Sequence, residues 1–177
     1  MVKPNNSQKV QLDNLRILVI EIMQDMDVWK DHQLDALYNL KLGVLRKNAT
    51  QRHGVTKWQK GVKESELSFE TLDSIELHPE LLNPQWNAYA AFVLHHEFIH
   101  ALGFRHHDSL FRKLEYSWPG INAGEIGPKF TEFLRRKTAK WLWICNDCNS
   151  EFPRKKPSNG KYKCRKCMTT LVDVKLK

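Results

Sequence analysis

His95-His96-Glu97-Phe98-Ile99-His100-Ala101-Leu102-Gly103-Phe104-Arg105-His106-His107-Asp108 holds five of the chain's eight histidines. Within it lies His96-Glu97-x-x-His100. Residues four apart share one face of a helix, a turn above each other, so two imidazoles reach one metal ion and Glu97 reaches the water beside it. Flanking apolar residues Phe92, Val93, Phe98, Ile99 and Leu102 supply a buried helix. The stretch is expected to form a metal centre, with Glu97 as general base.

The chain has 177 residues, 41% apolar and 10% aromatic, which suits one globular domain with a small appendage. No apolar run reaches the 18 residues that suggest a membrane span. Residues 1–9 are polar and lack an apolar segment ending in a small-residue cleavage site, so the expected location is intracellular: cytoplasm or nucleoid, or the nucleus of a eukaryote. Membrane association is not expected, and a monomer is. No Gly-rich phosphate loop, internal repeat or low-complexity segment is present.

Charge is uneven. Residues 1–134 carry 15 Lys/Arg and 17 Asp/Glu, whereas residues 135–177 carry 13 and 3. The net charge of +8 therefore belongs to the tail, which suggests a polyanionic partner. The tail also holds all four cysteines, as Cys145-x-x-Cys148 and Cys164-x-x-Cys167. In a reducing compartment this spacing reads as one closed four-thiolate zinc site, structural rather than catalytic. With those cysteines assigned, no Ser/His/Asp or Cys/His nucleophile set competes.

Along the chain, residues 1–9 are expected to be frayed. A helix is expected over 11–26 and another over 31–41 with Asp31 as a possible cap. A hairpin or two short strands are expected within 44–63, and a strand within 68–77 that His78-Pro79 breaks. His78 reads as structural. The central helix is expected over 84–102, ended by Gly103, and a further helix over 108–116. Residues 117–127 are rich in Gly and Pro and read as a loop, either a lid over a cleft or a plain connector. A helix over 128–138 and the strands of a ribbon follow. Separate helices and short strands make the fold class α+β, with domains at 1–138 and 139–177.

A catalytic zinc keeps three protein ligands and an open position. His96 and His100 supply two. The third lies beyond Gly103, and two residues compete. His106 gives the spacing His-Glu-x-x-His-x-x-Gly-x-x-His. His107 stands four residues before Phe111, which would anchor its helix in the core. Both stay open, with His107 preferred. Tyr116 and His95 are candidates for an oxyanion partner. Around the cysteines, Arg154, Lys155, Lys156, Lys161, Lys163, Arg165 and Lys166 interleave with Trp141, Trp143, Phe152 and Tyr162. Basic groups track phosphates and aromatics stack on bases, so sequence-tolerant binding of single- or double-stranded DNA is expected. Trp141 and Trp143 read equally well as the ribbon's own core.

Three segments together resemble the SprT-like metallopeptidase family, which includes the Spartan-type DNA–protein crosslink proteases. They are Ser74-Ile-Glu-Leu-His-Pro-Glu-Leu-Leu82, Leu94-His-His-Glu-Phe-Ile-His-Ala101, and Trp143-Ile-Cys-Asn-Asp-Cys148 with Tyr162-Lys-Cys-Arg-Lys-Cys-Met-Thr-Thr-Leu171. The resemblance implies a zincin-like core of helices and a small mixed sheet, followed by a β zinc ribbon. It implies one catalytic and one structural Zn2+, with His96, His100 and a later histidine as ligands and Glu97 as base. It also implies protein substrates and DNA-stimulated cleavage of DNA-bound proteins. The family's third ligand often sits in a His-Gly-Pro-x-Phe-like segment, where this chain has His107-Asp-Ser-Leu-Phe111. A nucleic-acid-binding module with an inactive core, and a zinc peptidase indifferent to DNA, are the competing readings.

Overall fold

The computed structural model describes residues 2–176. Its α+β architecture divides into two compact units, Met1–Gly124 and Glu125–Lys177. Among the described residues, no helix is long and apolar enough to cross a membrane.

The first unit is built on two packed helices, α1 (Asn6–Gln24) and α2 (Asn87–Ala101), with α2 also lying on a three-stranded sheet. Strand β1 (Leu42–Val44) runs parallel to β3 (Leu72–Leu77), and β2 (Gly54–Trp58) runs antiparallel along the other side of β3, giving the order β1-β3-β2. The strands expected within 44–63 therefore do not form a hairpin: β3 lies between β1 and β2. From α1, Leu12, Leu15, Val19, Ile20 and Met23 are buried, and Ile75 and Leu77 of β3 and Phe98 and Ile99 of α2 have no exposed surface.

Helix α1 starts at Asn6, so the segment expected to fray is mostly ordered. The cause is a capping box: the Gln8 N–H donates to Asn5 Oδ1 at 2.8 Å, and the Asn5 N–H donates to Gln8 Oε1 at 3.0 Å. The helix expected over 31–41 is instead a 3-10 turn, Asp35–Asn39. Leu34, Leu37 and Leu40 are all buried and recur every three residues, which matches three residues per turn rather than 3.6.

Helix α3 (Ser109–Tyr116) is capped by Asp108, whose Oδ1 accepts the Phe111 N–H at 2.9 Å. Helix α4 (Ala123–Thr138) starts five residues before the position expected and takes in Gly127 and Pro128. A proline inside a helix removes only its own N–H donor and crowds one carbonyl, and the helix absorbs that loss in its second turn. Of the loop read over 117–127 as a lid or a plain connector, residues 117–122 stay outside α4 as a short connector, in which Trp118 is buried against the His95 ring at 4.7 Å.

In the second unit, β4 (Trp141–Ile144) is the centre of an antiparallel sheet of order β5-β4-β6, with β5 (Glu151–Arg154) and β6 (Val172–Lys175) at its edges. Cys145, Cys164 and Leu171 are its buried centre, with Trp143 and Phe152 packed on them.

His95 lies wholly inside the first unit, between the rings of Trp29 and Trp118, and among the described residues neither ring nitrogen has a hydrogen-bond partner. Burial, reinforced by His96, pushes its pKa down to about 3. The imidazole is neutral in the folded chain but protonates near 6.5 when unfolded, so its contribution to stability is lost as pH falls below 6.5. Denaturant titrations at pH 7.5 and 5 should show an acid-side loss about 2 kcal/mol smaller in His95→Leu than in the wild type. Equal losses would refute this assignment.

Candidate metal centre and catalytic cleft

Helix α2 is buried almost all round, as expected of a helix apolar on every face. From Tyr89 to Ala101 only His96 and His100 reach the surface. They are one turn apart, so the helix opens to solvent at one place, and that place presents two imidazoles.

The chain then turns at Gly103, whose φ of +101° suits a residue without a side chain. The turn brings His107 back over the helix. Its Nε2 lies 3.1 Å from His100 Nε2 and 3.2 Å from His96 Nε2. Of the two competing residues, His107 joins this group and His106 lines the cleft beside it. Phe111 supports all three rings from below, with centroids 4.9, 4.7 and 4.6 Å from those of His96, His100 and His107. Phe111 has no exposed surface, so this floor is fixed by the core.

The other ring nitrogens of His96 and His100 are occupied. His96 Nδ1–H donates to Glu115 Oε1 at 2.7 Å, and His100 Nδ1–H donates to the Phe104 carbonyl at 2.9 Å. Each bond fixes the tautomer that leaves the Nε2 lone pair facing the common point. Burial, and then the neighbouring His96, push His100 down to about 4 and hold His107 below its usual value. His100 and His107 are therefore neutral donors at pH 7, as metal ligation requires. Three imidazole nitrogens converging on one point can hold a metal ion.

Glu115 was not anticipated from the sequence. It is buried, and Arg112 binds its Oε2 at 2.6 Å. Burial alone would raise its pKa, but the hydrogen bonds from His96 and Arg112 outweigh it and hold the carboxyl below the usual range. The signal available was Arg112-x-x-Glu115, a helical ion-pair spacing three residues apart. Its link to His96 exists only in the folded chain.

Glu97 is 5% exposed. Thr56 of β2 donates its hydroxyl to Glu97 Oε2 at 2.7 Å and shares it with the Glu97 carbonyl at 3.1 Å. Gly54, two residues earlier on the same strand face, leaves room for the other oxygen: a Cβ there would lie 2.7 Å from Glu97 Oε1 and 2.8 Å from Val93 Cγ1. Burial pushes the Glu97 carboxyl up, against the opposing pull of His96 and Thr56. A carboxylate with a raised pKa beside a metal centre is suited to proton transfer.

Two cavities flank this group and share Gly54, His96 and Glu97. Gln51, Arg52, His53 and Tyr89 wall one side; Val55, Trp58, Glu64, Leu67, Arg105 and His106 wall the other. Neither oxyanion candidate lines them. Tyr116 is 75% exposed at the end of α3, and His95 is sealed in the core.

The four cysteines form the second candidate metal site, their Sγ atoms all lying within 4.8 Å of one another. The two knuckles have the same bonds. Asn149 and Met168 donate to the carbonyls of Cys145 and Cys164 at 2.8 and 2.9 Å, and Cys145 and Cys164 donate to Ser150 and Thr169 at 3.0 and 2.8 Å. Asn149 and Met168 both have positive φ, 54° and 58°, so each knuckle turns the same way to aim its thiols. The Ser150 hydroxyl lowers the Cys148 thiol, while the hydrogen bond with Cys148 raises that of Cys167.

Beside it, Tyr162 stacks on Trp143 at 4.7 Å and 18°, and Arg154 lies over the Trp143 ring at 4.9 Å. Trp143 thus serves both as ribbon core and as groove wall. Arg154, Lys163, Arg165 and Lys166 line the same groove of about 970 Å³. Lys155, Lys156 and Lys161 lie on the loop leading to it. That loop is anchored by the Trp143 indole N–H on the Lys156 carbonyl at 3.0 Å and by Asp173 on the Ser158 and Asn159 amides.

The chain is similar to curated proteins named "Protein SprT-like". It is 28% identical over 106 residues to one from Streptococcus equi subsp. equi strain 4047, covering 56% of this chain and 68% of that one. It is 27% identical over 105 residues to one from Streptococcus equi subsp. zooepidemicus strain H70, covering 55% and 68%. No family profile and no solved structure matches the chain.

Replacing Glu115 by Gln keeps its size but removes the charge that holds His96 Nδ1–H. Competition against a chromophoric chelator should show Zn2+ at the histidine centre bound about tenfold to a hundredfold more weakly in Glu115→Gln. Unchanged affinity would exclude a role for Glu115 in orienting His96.

Proposed function

Because the chain belongs with the SprT-like proteins, we propose that it is a zinc-dependent endopeptidase directed to proteins held on DNA. The observation that carries this reading is the convergence of three imidazole Nε2 atoms beside the buried Glu97 carboxylate. Three nitrogen donors facing an open cleft fit a catalytic zinc, and four clustered thiols fit a structural one. Zinc bound at His96, His100 and His107 would supply a Lewis acid that polarises a peptide carbonyl and acidifies water beside it.

The chain's own groups do the rest. Glu97 accepts the proton of the attacking water and passes it to the leaving amine, and its raised pKa suits both roles. Thr56 fixes one carboxylate oxygen, so the other faces the cleft edge at Gly54. Phe111 and Glu115 keep the rings in place through turnover. The cleft is open on both sides of Glu97, which suits a chain that enters at one side and leaves at the other. In the ribbon, the cations of the groove track phosphates while the exposed Tyr162 face is available to an unpaired base.

Histone cleavage with and without single-stranded DNA tests the reading. Glu97→Gln should lower cleavage by at least about a hundredfold while the protein still binds zinc. DNA should raise the wild-type rate. Cleavage indifferent to DNA would favour a general peptidase, and DNA binding without any cleavage would favour a binding module. In the ribbon, Arg165→Gln/Lys166→Gln should weaken DNA binding uniformly across sequences and reduce the salt slope by about one for each phosphate that is no longer neutralised. An unchanged slope would remove those two residues from the interface.

A further inference from the structure

One wall of the cleft has little to hold it. Residues 64–66 form a 3-10 turn with no buried residue. Its internal bonds are short-range: the Lys63 N–H reaches the Glu66 carboxylate at 3.2 Å, and the Thr71 hydroxyl donates to the Glu66 carbonyl at 3.2 Å. Among the described residues, the hydrogen bonds of 63–67 stay within 63–71, with Arg105 as the exception. Arg105 Nη1 donates to the Glu64 carbonyl, and Nη2 donates to the Leu67 carbonyl. A guanidinium can engage two carbonyls at once from a rigid fork, and it adds to the one Leu67 N–H that the Glu64 carbonyl already accepts.

Arg105 lies two residues before His107, in the turn that begins at Gly103 and whose Phe104 carbonyl holds His100. Glu64, Leu67, Arg105, His100 and His107 line one cavity. One side chain thus joins the weakest part of the cleft wall to the turn that brings the third histidine over the helix.

We propose that Arg105 is a positioning residue: it fastens the wall at 64–67 to the His107 turn, so that metal occupancy at the histidines and order in the cleft wall are coupled. Ordering of one segment lowers the entropy cost of ordering the other. The site is a stronger metal site when the wall is in place, and the wall is better formed when the metal is bound. The inference rests on the metal reading of His96, His100 and His107.

Hydrogen exchange of the full chain with and without Zn2+ tests it, comparing wild type, Arg105→Gln and Arg105→Lys. In the wild type, Zn2+ should slow exchange at both 102–107 and 64–67. In Arg105→Gln it should slow only 102–107, and Zn2+ affinity at the histidines should fall about tenfold. Arg105→Lys, which keeps the charge and can engage one carbonyl, should fall between. The coupling is overturned if Zn2+ protects 64–67 equally in Arg105→Gln, or if it protects 102–107 but leaves 64–67 unchanged in the wild type. If Zn2+ leaves 102–107 unchanged in the wild type, the metal reading fails separately. The fastening is then judged in metal-free protein: Arg105→Gln must speed exchange at 64–67, and equal rates overturn it.

Discussion

His96 and His100 on α2 are each held by Nδ1, and the geometry of the cleft depends on those two hydrogen bonds. An unrestrained histidine on a helix rotates about two side-chain torsions, and either nitrogen can face a ligand. Here Glu115 takes one Nδ1–H and the Phe104 carbonyl takes the other. Both Nε2 atoms are then committed to one point, and His107 completes the set from above. Phe111 blocks the other direction.

The supports come from elements distant in sequence. Thr56 and Gly54 belong to an edge strand, Glu115 to α3, and Phe104 to the turn between helices. The burial of α2 ties them together. Its core-facing sides leave one narrow exposed stripe, and β2 and α3 frame it. Cleft formation is thus a consequence of packing an apolar helix whose only surface residues over thirteen positions are two histidines. The ribbon follows a different logic. Its apolar centre is small, and its paired knuckles aim four thiols at one volume, so a metal would contribute much of its folding energy.

Much of the centre was legible from spacing alone. His96, Glu97 and His100 are local in sequence, and helix geometry relates residues four apart without reference to the rest of the chain. The two Cys-x-x-Cys pairs are legible for the same reason. The end of α2 at Gly103 and the helix after Asp108 follow from residues whose backbone preferences are strong. Elements failed to read where a local signal was weaker than its competitor. The Asn5–Gln8 capping box outweighs the polar composition that suggested fraying. The three-residue spacing of Leu34, Leu37 and Leu40 favours a 3-10 turn over the α-helix expected there. Gly127 and Pro128 punctuate a sequence but do not stop α4.

The sequence by itself determined the donor types, their helical spacing and the basic character of the tail, because these are properties of residues near one another along the chain. Only the tertiary structure brings His107, and not His106, into the group with His96 and His100, since that depends on how the turn after Gly103 directs each side chain. It alone decided that Glu115 steadies His96, that Thr56 and Gly54 accommodate Glu97, and that Arg105 reaches the 64–67 wall. It also removed Tyr116 and His95 from the cleft. These relations join residues 19 to 43 positions apart, and no local preference encodes them. They exist because burying α2 between a strand and a second helix brings those side chains to one place.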